Sequence, residues 1–186
     1  MRRQLTFDAP DPERSQALFD PSERYRYWLA RMWAPDQPTV NFIMLNPSTA
    51  DQYQLDPTVT RCLHYARRWG FGTLIVTNIF AYRSTDPKAL YTLDDPVGPE
   101  NDAYLRKAAA PADLRVVAWG THGALGGRHR AVLALLANYP LTALGVTQEG
   151  FPKHPLYLRA DAPYVSYPPI SRRSTTLEKG TPSDAS

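Results

Sequence analysis

Residues 41–51, NFIMLNPSTAD, run apolar to Leu45 and then break into Asn46-Pro47-Ser48-Thr49-Ala50-Asp51. The break brings an amide, two hydroxyls and a carboxylate together. Hydroxyls and backbone N–H groups in a turn, here at Ser48 and Thr49, can cradle a phosphate. Asp51 is the carboxylate placed to act as a base or to position a water. Asp56 is more simply the N-cap of a helix opening at Pro57. A second amide, Asn78, sits in the apolar run TLIVTNIFAY, with Tyr82 and Arg83 close behind. An amide in a buried strand needs a partner, and its donor pair and acceptor suit the edge of a nucleobase. His154 lies in PKHPLYL, where the following proline stiffens the loop. His122 follows a strand end and is ambiguous; His64 and His129 fall on helices among arginines and suggest no chemistry.

Several chemistries have little support. The single cysteine, Cys62, excludes a disulfide framework and Cys-ligated metal sites. The histidines lack paired ligand spacing, so no metal and no cofactor are expected. GALGGR, 123–128, lacks the Lys-Ser/Thr ending of a phosphate loop, and no Gly-x-Ser-x-Gly elbow occurs. A formal charge of +3 and a pI near 9.0 permit a polyanionic partner without demanding one. The N-terminal arginines precede no apolar run, and no stretch reaches membrane-spanning length. A cytoplasmic monomer without membrane contact is therefore expected.

These groups need elements to place them. Residues 25–33 and 40–45 read as a first hairpin leading into a central strand. Val59, Cys62, Leu63, Ala66 and Trp69 share one face of a helix that ends at Gly70. Further strands are expected at 73–82, 115–120 and 141–147, and further helices at 99–109 and over RHRAVLALLANY. Alternating strands and helices imply a three-layer α/β/α sandwich with a central, mainly parallel sheet. Ligands of such sheets sit at the strands' C-terminal ends, where Asn46, Asn78, Thr121-His122 and Thr147 would meet. Residues 1–20 read as an N-terminal extension, 21–167 as one domain and 168–186 as a disordered polar tail.

The motifs LNPSTAD, DPT-x-x-R, TNIFAYRSTDP, DPVGPEND, AWG and G-x-P-x-HPLYL closely resemble an uncharacterised bacterial and phage family of unknown function. Their order is also distantly similar to the uracil-DNA glycosylase superfamily. Asn46-Pro47 matches its first turn, Thr77-Asn78 its base-reading strand, LRVVAWG its third strand and His154-Pro155 its last loop. The resemblance implies that Asn46 positions a water and Asn78 reads the base. It implies that His154 stabilises the departing base and that Leu156 or Tyr157 fills the space of a flipped base. Ser48 and Lys153 would hold phosphates. Both glycines of the superfamily's first turn are absent, with Met44 and Ser48 in their places.

The function expected from this reading is release of a damaged or modified base from single- or double-stranded DNA by water attack on the N-glycosidic bond. The alternative is a non-catalytic nucleotide- or nucleobase-binding protein on the same fold. A third reading is a metal-assisted phosphate hydrolase using Asp51 or Asp56. Charge placement discriminates between the first two: Arg67, Arg68, Arg83, Arg128, Arg130, Lys153 and Arg159 on one rim favour DNA, and scatter favours a small ligand.

Overall fold

The computed structural model describes residues 14–51 and 55–168. Two antiparallel strands come first, β1 (Arg14–Phe19) and β2 (Arg26–Met32). The apolar runs then form β3 (Thr39–Met44), β4 (Thr73–Asn78) and β5 (Leu114–Val117), followed by the short β6 (Leu141–Ala143) and β7 (Val165–Tyr167). Together they make one seven-stranded sheet in the order β1-β2-β4-β3-β5-β6-β7. The four middle strands, β4-β3-β5-β6, are mutually parallel; β2 and β7 flank them antiparallel, and β1 pairs antiparallel with β2 at the outer edge.

The expected hairpin between residues 25–33 and 40–45 does not form. β4 lies between β2 and β3, and Val76 of β4 faces Leu29 of β2 on one side and Phe42 of β3 on the other. Helix crossovers return the chain parallel to β3 on both of its edges, which leaves β2 only the outer edge of β4. β1 also overrides the expected boundary at residue 21: the sheet already includes 14–19. The expected tail beyond 168 and most of the N-terminal extension lie outside the described residues.

Helices cover both faces. Helix α1 (Pro57–Arg68) starts as its sequence requires, with the Asp56 carboxylate accepting from the Val59 N–H at 2.7 Å and Pro57 in the first turn. Its Val59, Cys62, Tyr65 and Ala66 pack on Val40, Phe42 and Met44. Helices α2 (Asn101–Ala109) and α3 (Arg128–Leu135) take the other face, where Leu105 and Val132 meet Ile43 and Val117. Alternate residues of β3 thus enter different cores, which is why the strand reads as an unbroken apolar run.

Three strands are shorter than expected: β5 ends at Val117, not Gly120, and the differences in β4 and β6 shape the site. β4 ends at Asn78, not at Tyr82. The Ile79 and Phe80 N–H groups still bond to the Met44 and Leu45 carbonyls, but Ala81 turns away to Val97. β6 ends at Ala143, not Thr147. Val146 folds back onto Pro152, and the Gly120 N–H bonds to the Pro152 carbonyl. That fold-back carries Lys153 and His154 to the end of β5.

Candidate functional site

A cavity of about 500 Å³ opens at the C-terminal ends of β3, β4 and β5. Asn46, Ser48, Asn78, Lys153, His154 and Tyr157 line it, and Thr121, His122 and Thr147 join them as expected from the strand ends.

The NPSTAD turn is tied down from several sides. The Asn46 Nδ2 donates to the Ser84 carbonyl at 2.8 Å and to the Pro47 carbonyl at 3.2 Å. Two carbonyl partners fix the amide's orientation, because only the NH2 side can donate. The Oδ1 is therefore left as the acceptor of this wall amide. Ser48 donates to the Asp56 Oδ2 at 2.5 Å, while Asp56 Oδ1 caps α1. Beyond Ser48 the chain descends onto β2, where Arg26 and Arg31 donate to the Ala50 and Asp51 carbonyls at 2.6 and 2.5 Å.

This wiring changes which carboxylate serves the cavity. Asp51, expected as the base, is not on the cavity wall; Asp56 is. Asp56 was expected only to cap a helix. Its other oxygen, held by Ser48, brings the carboxylate to the cavity as well.

Asn78 is buried at the end of β4 and accepts from Arg26 Nη2 at 3.4 Å. Its backbone carbonyl, with that of Ile79, is held by the Asn101 Nδ2 at 2.9 and 3.0 Å. Arg128 Nε also donates to the Ile79 carbonyl, at 2.7 Å. The end of β4 is thus locked by two side chains from the opposite layer. Arg26 itself is 2% exposed. Burial lowers its pKa to about 10, opposed first by the charge of Asp56.

His154 opens a short 3-10 turn, Pro155–Tyr157, and its Nδ1 accepts from the Leu156 N–H at 3.3 Å. That bond selects the tautomer with the proton on Nε2. Burial holds the imidazole below its ordinary 6.5, with the Asp56 charge opposing. His154 is therefore a neutral Nε2–H donor at neutral pH. A pH prediction follows. The unfolded state binds a proton at about 6.5 and the folded state only below that value, so this contribution to stability is complete above 6.5 and lost as pH falls through the folded value. Wild type is expected to lose more denaturation midpoint than His154→Gln between pH 7.5 and 5. Parallel pH curves for the two proteins would contradict the assignment.

Other candidates lie off the cavity wall. Thr49 is exposed, and Pro47 is buried beneath the turn. Tyr82 packs edge-on to Tyr25, and Arg83 stacks on Phe19 and donates to the Glu23 carbonyl. Leu156 is partly exposed beside Tyr157, which is 85% exposed at the mouth. The cations are dispersed too. Arg67 lies over Trp33, Arg128 is buried against Asp102, and Arg159 pairs with Asp161. Of the seven considered for a rim, only Lys153 lines the cavity.

Sequence reasoning missed Arg26, Trp119, Ser84 and Thr85 as wall residues. For Arg26 a signal existed: an arginine on the inward side of an aromatic strand. Trp119 looked like part of a strand. Its indole N–H is buried and unpaired, with Gly123 packed so closely on the ring that an added Cβ would stand 2.3 Å from it. Among the described residues, no group of three or more His, Cys, Asp or Glu side chains is placed to hold a metal ion.

The family model described as "Protein of unknown function (DUF1643)" matches residues 26–156. The chain belongs to this family. The matched span begins at Arg26 and reaches Leu156, so it encloses every residue of the cavity wall except Tyr157. No curated protein and no solved structure matches the chain. Among the described residues, no helix is long and apolar enough to cross a membrane.

Proposed function

We propose that the cavity binds a nucleotide unit and hydrolyses its N-glycosidic bond, in the manner of the uracil-DNA glycosylase superfamily that the motif order resembles. The observation that carries this reading is the meeting of Asn46, Asp56 and His154 at one cavity. Asn46 Oδ1 and the Asp56 carboxylate hold a water against the anomeric carbon. The water oxygen bonds to that carbon as the C–N bond breaks, and the bonding pair leaves with the base. Asp56 receives the water's proton. The His154 Nε2–H donates to the base as negative charge develops on it. Asn78 contacts the base edge.

Dispersal of the arginines favours a single nucleotide or nucleoside over a duplex, since a duplex binder gains most of its affinity from a basic stripe. Binding without hydrolysis stands as the second reading, because the same wall would hold a nucleotide unchanged.

The test is base release from single- and double-stranded oligonucleotides carrying uracil, hypoxanthine, xanthine or alkylated bases, and from free nucleosides and nucleotides. Asn46→Ala and His154→Ala are each expected to slow release by about 10²–10⁴-fold. Failure of wild type to release base from every substrate would overturn hydrolysis; nucleotide-induced thermal stabilisation would then support the binding reading.

A further inference from the structure

Arg26 is a costly residue for its place. A buried guanidinium on a sheet strand loses its hydration, and an apolar side chain of similar volume commonly serves stability as well or better. Here it makes two hydrogen bonds, to the Ala50 carbonyl and to Asn78 Oδ1, and its Nε–H is buried with no partner. It lines the cavity together with Asn78.

The bond to Asn78 has a directional consequence. A guanidinium only donates, so the atom of the Asn78 amide that faces it must be the oxygen. The amide nitrogen is then the atom left for a ligand. Asn46 is fixed the opposite way, with its nitrogen on two carbonyls and its oxygen free. Two asparagines on one wall therefore present opposite polarities, and for Asn78 the polarity is set by Arg26.

We infer that Arg26 is a positioning residue that holds the Asn78 amide with its NH2 toward the ligand, so that the cavity selects a ring bearing a hydrogen-bond acceptor, such as a carbonyl oxygen, at that edge. This rests on the nucleotide-unit reading above and specifies its ligand. An amino group at the same ring position would place a donor against a donor. Sites built to hydrogen-bond one group reject the analogue that cannot complete the bond far more strongly than they reject a change of shape.

The test uses two pairs of nucleosides that differ in this group and in the adjoining ring nitrogen, which carries a hydrogen only beside the carbonyl: inosine with adenosine, and uridine with cytidine. Affinities are measured by calorimetry on the full chain. Wild type is expected to favour the carbonyl member of at least one pair by about tenfold or more. Arg26→Gln, whose amide can face Asn78 with either end, is expected to reduce that preference to about twofold, while Arg26→Lys, still only a donor, retains it. Asn78→Asp keeps an oxygen on Arg26 and turns the second oxygen to the ligand, so it is expected to reverse the preference. This variant keeps the buried charge paired and guards against loss of folding in the Arg26 series. A purely structural Arg26 would lower affinity for both members of a pair equally. An unchanged ratio in Arg26→Gln and Asn78→Asp would overturn the inference and leave the nucleotide reading intact. Failure of wild type to bind any of the four as nucleoside or 5′-monophosphate, together with no base release from any oligonucleotide, would overturn both.

Discussion

Asp56→Ala is expected to lose about 3 kcal/mol of folding stability together with base release, whereas Asp56→Asn loses the activity and keeps most of the stability. The carboxylate has three duties. It caps α1 through the Val59 N–H, it accepts the Ser48 hydroxyl, and its charge is the first to offset the burial of Arg26. Removing an N-cap costs about 1 kcal/mol, up to about 2. Leaving a charged or hydroxyl partner unsatisfied in a buried site adds a similar amount. Asparagine retains an oxygen for the Val59 N–H and an NH2 that can donate to Ser48. It cannot take a proton from water, so release should fall by about 10²–10³-fold. Denaturant titration beside the release assay separates the effects. Equal destabilisation by both substitutions would show that the charge rather than the cap dominates. Full activity in Asp56→Asn would remove Asp56 from the mechanism.

Asn101→Asp should be worse than Asn101→Ala, although aspartate is the closer match in shape. Asn101 is fully buried, and its Nδ2 holds the Asn78 and Ile79 carbonyls together. Alanine leaves a carbonyl at the end of β4 without its partner, which costs about 1–3 kcal/mol. Ile79 retains Arg128 as a second donor. Aspartate places a carboxylate against two carbonyls with no hydrogen to share, and the penalty rises to several kcal/mol unless the group takes up a proton. Thermal denaturation from pH 4 to 8 checks the sign: Asn101→Asp should recover stability toward low pH, as the buried carboxyl protonates, while Asn101→Ala should not. Both variants should bind nucleosides weakly, because the strand end that aims Asn78 is loosened. A pH-independent Asn101→Asp would show that the side chain escapes its pocket.

The parts of this protein that follow from local pattern could be read directly. The unbroken runs of β3 and β4 require burial on both faces, and an Asp-Pro pair before an amphipathic stretch must start a helix. Asn46, Asn78 and His154 could be placed at one edge because parallel strands linked by helices send their C-terminal ends the same way. Partners distant in sequence could not be read. Arg26 meets Asn78 across 52 positions, and Asn101 meets the same strand end from the opposite layer. The choice between Asp51 and Asp56 was equally hidden. Both follow the turn closely, and only the descent of the chain onto the arginines of β2 takes Asp51 away from the cavity.

The sequence by itself determined the central strands β2 to β6 with their intervening helices, their alternation and the edge where polar groups gather, since periodicity, capping and crossover geometry act over a few turns of chain. The tertiary structure alone decided that β4 separates β2 from β3, that a buried arginine sets the polarity of an asparagine, and that the carboxylate at the cavity is the helix cap. Those outcomes depend on which edges and buried donors remain unsatisfied once the layers close. No local stretch of residues contains that information.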